Sequence, residues 1–163
     1  MQGRNKGPRM GRSFTGLAGE HLVIYDLLRQ GIPAFLSGSG LRYDVVADID
    51  GQLVRIQVKS TDVARSDHSK PSSKTSYIYN LSDGQDKRYK AGEFDLVAFV
   101  ALTPQLVAYL PAQSVLHRKK FKFQEEALYN LPFKEAYDRH RYLPNTRLHT
   151  RKRLRNPVAR RTP

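Results

Sequence analysis

The dipeptide Asp50-Gly51 separates two runs in which apolar residues alternate with polar ones, and no other feature restricts the folding of this chain as tightly. Asp-Gly accepts the left-handed backbone of a two-residue turn at little cost, so the pattern predicts a hairpin with strands Arg42–Ile49 and Leu53–Ser60. Side chains alternate faces along a strand. Val54, Ile56 and Val58 therefore share one face, and Arg55, Gln57 and Lys59 the other. An aliphatic strand face needs a cover. Upstream, Leu17, Val23, Ile24, Leu27 and Leu28 recur at helical spacing. Ser13 or Thr15 would cap that helix, and Gly31 with Pro33 would end it.

The rest of the chain adds more strands than helices. A short piece, Ala34 to Leu36, is expected at a sheet edge, and 61–74 reads as a long exposed loop. Strands are predicted at Ser76–Leu81, Phe94–Leu102 and Leu106–Leu110. Pro111 opens a short helix toward Val115, and Gln124–Asn130 and Phe133–His140 follow as helices. The order predicts an α+β (mixed α/β) fold, with three or four strands largely antiparallel in sequence and helices packed behind.

Charge divides the chain into three. The net charge of +13 over 163 residues is distributed as +4 in residues 1–12 and +7 in 147–163, leaving +2 for 13–146. The expected organisation is a basic flexible arm (1–12), a single domain (13–146) and a basic C-terminal tail (147–163). Such ends attract a polyanion, nucleic acid foremost. With no cysteine there is no disulfide framework and no thiolate for zinc or catalysis. The histidines form no ligand spacing, and no run approaches the ~20 apolar residues of a membrane span. A soluble, cytoplasmic protein without a signal segment is the expectation.

Four polar residues stand where a core-building sequence does not need them: Glu20 on the helix, Asp44 on the first hairpin strand, and Gln57 and Lys59 on the second. Carboxylates hold hard divalent cations through oxygen. Such an ion neutralises charge on a phosphodiester and activates water, and a nearby amine can orient that water or stabilise the developing oxyanion. Asp48 and Asp50 read as turn residues, and Asp95 as the start of a strand.

Tyr43-Asp44-Val45-Val46, Gly51 and Arg55-Ile56-Gln57-Val58-Lys59-Ser60 together resemble the signature of the PD-(D/E)XK nucleases, and Ala18-Gly19-Glu20 is similar to their helical glutamate. Within that superfamily the likeness is greatest to the group I intron homing endonucleases, in which glutamine replaces the usual acid of the last motif. It spans about residues 13–116. The resemblance implies a restriction-endonuclease-like central mixed sheet flanked by helices, and a DNA endonuclease dependent on Mg²⁺ or Mn²⁺. It assigns Glu20, Asp44 and Gln57 to the metal and Lys59 to catalysis. Gln57 brings no charge, so metal affinity would rest on Asp44 and Glu20. Tyr43 stands where the motif name has proline.

Double-stranded DNA is the expected partner, and a homodimer or homotetramer the expected assembly, since both strands must be reached. Candidate DNA contacts are Lys70 and Lys74 in the long loop, Lys87, Arg88 and Lys90, then Arg118, Lys119, Lys120 and Lys122, and in the tail Arg151, Lys152, Arg153 and Arg155. Tyr77, Tyr79 and Tyr89 could stack on nucleotides, although Tyr77 and Tyr79 read better as one sheet face. Junction resolution, DNA repair and non-catalytic nucleic-acid binding stay open as alternatives.

Overall fold

A computed structural model describes residues 12–65, 75–82 and 88–142. Helix α1, Arg12–Arg29, opens the fold. It already includes Ser13 and Thr15, so neither is its cap. Its end is as expected. Gly31 takes φ +76°, the Gly31 N–H bonds the Leu28 carbonyl and the Ile32 N–H bonds that of Leu27, each at 3.0 Å. This pairing closes a helix on a left-handed residue.

Five strands form the central sheet: β1 (Ala34–Leu36), β2 (Val45–Ile49), β3 (Gln52–Thr61), β5 (Leu96–Ala101) and β6 (Leu106–Pro111), in the order β1-β2-β3-β5-β6. β2 and β3 make the expected hairpin, with Asp50 at φ 52° and Gly51 at φ 79°, and the Gly51 N–H donating to Asp48 Oδ1 at 2.9 Å. The pairing of β3 with β5 is parallel and the other three pairings are antiparallel, so the sheet is mixed, as the resemblance implies, and largely antiparallel. The predicted strand at 76–81 exists as β4 (Tyr77–Asn80) but lies outside this sheet. It pairs with β7 (Lys120–Phe123) in a separate two-stranded ribbon.

β5 explains the layering. All six of its residues are buried, as in a strand covered on both faces. Leu96, Ala98 and Val100 join a core with Val23 and Leu27 of α1 and the aliphatics of β3. Val97, Phe99 and Ala101 join a second core with Tyr77, Tyr79 and Phe123 of the ribbon. The short helix α2 (Glu125–Leu128) adds Leu128 to that second core, and α3 (Phe133–Tyr142) packs Phe133, Ala136 and Tyr137 into the first. Between β6 and β7, Ala112–Ser114 forms one 3₁₀ turn.

A half-buried ion pair ties β3 to the start of β5. Arg55 Nη2 meets Asp95 Oδ1 at 2.7 Å, Arg55 Nε meets Oδ2 at 3.0 Å, and the Arg55 N–H reaches Oδ2 at 2.9 Å. Burial alone would raise the Asp95 pKa, but these bonds and the guanidinium charge outweigh it and hold it below its ordinary 3.8. A lowered carboxyl pKa stabilises the fold above that ordinary value, and the contribution disappears as pH falls through the folded one. Asp95→Asn is therefore expected to cost about 1.5–3 kcal/mol at neutral pH, the range for hydrogen bonds to charged groups. The difference from wild type should shrink below pH 3.8 in urea melts taken across the acid range.

Candidate functional site

The hairpin register sets the site. Val45 stands opposite Ile56, and just before it the Asp44 N–H donates to the Ile56 carbonyl at 2.9 Å. Asp44 is thus one step before β2 rather than inside the strand, and its side chain turns back across the hairpin. Asp44 Oδ2 accepts the Val58 N–H at 2.8 Å and also a short hydrogen bond from Gln57 Nε2. Arg42, two residues before Asp44, pairs with Glu93, and Arg55 of the facing strand pairs with Asp95, so neither arginine is spent on Asp44.

Glu20 arrives from α1. Gly19 brings the helix against β3 so closely that a side chain there would meet Ser60: an added Cβ would lie 1.7 Å from Ser60 Oγ and 2.7 Å from its Cβ. This approach carries the next residue, Glu20, toward Asp44. Partial burial raises the Glu20 pKa, and the Asp44 charge raises it further. The Asp44 pKa is raised by burial against the pull of the Val58 N–H, the Lys59 charge and the Gln57 amide. Each carboxylate sits where a negative charge is poorly solvated.

Lys59 lies on the same strand face as Gln57. Its Nζ donates to the Ser82 carbonyl at 2.9 Å and stands 5.0 Å from the centre of the Tyr89 ring. Tyr89 Oη bonds the same carbonyl at 3.3 Å. The ammonium is thus fixed by a segment distant in sequence, which nothing in the hairpin pattern foretells. The face of Gln57 is not a solvated one either: Gln57 is buried.

Glu20, Asp44, Gln57 and Lys59 therefore converge from α1 and the hairpin. Among the described residues no three His, Cys, Asp or Glu side chains form a metal-sized group. The donor set is two carboxylates plus the Gln57 amide, whose oxygen would face Asp44 after a half-turn of the amide. Oxygen donors of this kind, with two anions held in poor solvation, suit a hard divalent cation.

The other expectations divide. Asp95 is engaged by Arg55 and takes no part in the cluster. Tyr77, Tyr79 and Tyr89 are buried, with 5%, 2% and 8% exposure, so they cannot stack on nucleotides as placed. Arg88, Lys90, Arg118, Lys119, Lys120 and Lys122 are all exposed. Lys120 and Lys122 belong to β7, a strand hidden from sequence reasoning by its charge, although Phe121 and Phe123 alternate with the lysines. Lys70, Lys74, Lys87, Arg151, Lys152, Arg153 and Arg155 lie outside the described residues, as does most of each basic end. Among the described helices, none is long and apolar enough to cross a membrane.

A family model described as PD-(D/E)XK endonuclease matches residues 12–143. No curated protein matches the chain. Among solved structures, that of a bacterial homing endonuclease is similar, at 18% identity and a TM-score of 0.56, over 72% of this chain and 78% of that one. At that identity the likeness is one of fold.

Proposed function

Because the chain belongs to the PD-(D/E)XK endonuclease family, we propose that it hydrolyses phosphodiester bonds in double-stranded DNA with Mg²⁺ or Mn²⁺, as a site-specific homing endonuclease. The observation that carries this reading is the convergence of two poorly solvated carboxylates: Glu20 lies within the field of Asp44, which is itself bonded to the Val58 N–H and the Gln57 amide and feels the Lys59 charge. Asp44 is the central ligand, Glu20 completes the carboxylate pair, and Gln57 adds a neutral oxygen. When bound, the cation supplies Lewis acidity toward a phosphodiester oxygen and toward the attacking water.

The chain's own residues do the remaining work. The Val58 N–H fixes the Asp44 carboxylate at the end of the hairpin. The Lys59 ammonium, restrained by Ser82 and Tyr89, orients the water and meets negative charge as it develops on the phosphate. Exposed Arg88, Lys90, Arg118, Lys119, Lys120 and Lys122 draw the backbone of the duplex toward the cluster. A homodimer or homotetramer would place one such site at each strand.

Purified protein is expected to cut a randomised duplex library with Mg²⁺ or Mn²⁺ and to leave it intact in EDTA. A protein that binds DNA yet cuts none of it with either ion would remove the catalytic reading. A four-way junction cut in preference to linear duplex would instead assign the role to junction resolution.

A further inference from the structure

The ribbon of β4 and β7 pairs Tyr77 with Phe123, Ile78 with Lys122, Tyr79 with Phe121 and Asn80 with Lys120. Alternation puts the aromatic residues on one side, and Ile78, Asn80, Lys120 and Lys122 on the other. The aromatic side is fully used. Tyr79 packs edge-on to Phe99 of β5 at 5.0 Å, and Phe123 meets the same ring at 5.0 Å. The other side faces out: Ile78 is 38% exposed, and Asn80, Lys120 and Lys122 are exposed.

An exposed strand face of mixed character is usually no more than a solvated surface. The position of this one argues for more. Asn80 borders two cavities. One, of about 650 Å³, reaches from Thr15 and Gly16 past Lys59 to Ile78 and Asn80. The other, of about 330 Å³, lies among Asn80, Ser82, Arg88, Lys119 and Lys120. Two residues after Asn80, the Ser82 carbonyl holds the Lys59 ammonium. The outer face of the ribbon is therefore coupled directly to the proposed site of chemistry, and its flanks are basic.

We propose that this outer face reads the DNA sequence, entering the major groove beside the phosphate to be cut. Asn80 bonds a base edge, Ile78 lies against the apolar edge of a neighbouring base, and Lys120 and Lys122 hold flanking phosphates. The proposal rests on the DNA endonuclease reading above. Its dimensions fit: four residues of strand span about 13 Å at ~3.3 Å each, and a major groove roughly 12 Å wide admits a two-stranded ribbon. Its chemistry fits too. An asparagine amide offers the paired donor and acceptor that complement adenine, and an aliphatic side chain suits the thymine methyl group. Lysine, a point charge on a flexible stem, suits phosphate.

The test gives wild type, Asn80→Ala, Asn80→Asp, Ile78→Ala and the double variant Lys120→Gln/Lys122→Gln a randomised duplex library. Selected sequences are read twice, as products cut with Mg²⁺ and as duplexes retained in Ca²⁺. Asn80→Ala should flatten the preference at one or two base pairs by about tenfold or more and keep it elsewhere. Asn80→Asp, which loses the donor, should change the favoured base there. The lysine variant should weaken binding to every sequence and reduce the salt slope by about two, near one per phosphate. Unchanged preference in Asn80→Ala and Ile78→Ala, or no preference by wild type in either readout, would overturn the proposal. Selective retention without Mg²⁺ cleavage would sink the endonuclease reading and leave the ribbon standing. Cleavage with wild-type preference in the variants would do the reverse.

Discussion

Asp44→Asn is expected to abolish DNA cleavage while making the protein more resistant to heat at neutral pH. The two effects have one cause. The Asp44 carboxylate is held against burial, and its pKa is raised from an ordinary 3.8 even though the Val58 N–H, Lys59 and Gln57 pull the other way. A carboxyl group whose pKa is higher folded than unfolded binds its proton more tightly in the native state. Stability therefore falls as pH rises through the interval between the two values, and the native protein carries that penalty throughout the neutral range. Asparagine keeps the acceptor for the Val58 N–H and removes the charge, and it also frees Glu20 from repulsion. Melting temperatures of the two proteins should separate near pH 7 and converge below pH 3.8. Mg²⁺ should raise the melting temperature of wild type and not that of the variant, because only a species that binds the native state stabilises it. Losing the central carboxylate removes several kcal/mol of charge stabilisation. That corresponds to a drop of about 10³-fold or more in cleavage rate. Lys59→Met, which removes the ammonium and keeps an unbranched side chain of similar length, should fall about 10²–10⁴-fold without losing the Mg²⁺ effect on melting. A variant Asp44→Asn that melts lower and still cuts would refute the placement of the metal.

What could be read from the chain, and what could not, follows the range of the interactions. The hairpin was legible because Asp50-Gly51 is a local device, and its register alone puts Asp44 beside Gln57. The close of α1 was legible for the same reason, through Gly31. The parallel union of β3 with β5 is absent from the residue pattern, and only the family resemblance, with its mixed sheet, implies a parallel pairing: it joins residues about 40 apart beside the Arg55–Asp95 pair, and neither partner signals the other. β7 was missed because Lys120 and Lys122 read as a basic patch, while the alternation of Phe121 and Phe123 is only four residues long. Its partner β4 is legible as a strand but not as part of a ribbon, since Tyr77 and Tyr79 show that one face is apolar without showing what covers it. Within the candidate site, residue types were legible and restraints were not: the Ser82 carbonyl under Lys59 comes from a segment that carries no motif.

The restraint least visible in sequence predicts the second large effect. Gly19→Ala exchanges a poor helix former for the best, and in an exposed helix it would gain about 1 kcal/mol. Here the new methyl group would lie 1.7 Å from Ser60 Oγ and 2.7 Å from Ser60 Cβ. Rotating the hydroxyl relieves the first contact but not the second, because the Cβ is fixed to β3. The helix must therefore move off the sheet, at a cost of about 1–3 kcal/mol for overpacking. Glu20 moves with it. A displacement near 1 Å at a reacting centre costs on the order of 10²-fold in rate, so cleavage should fall by about that factor even where the variant is fully folded. Ser60→Gly removes both offending atoms, and among the described residues its buried Oγ has no hydrogen-bond partner, so its loss orphans none of their polar groups. Gly19→Ala/Ser60→Gly should recover most of the cleavage and stability lost by Gly19→Ala, whereas Gly19→Ala/Ser60→Ala, which retains the Cβ, should recover little. Equal activity in the two double variants would mean that the helix is free to slide, and that Glu20 is not placed by the contact of Gly19 with β3.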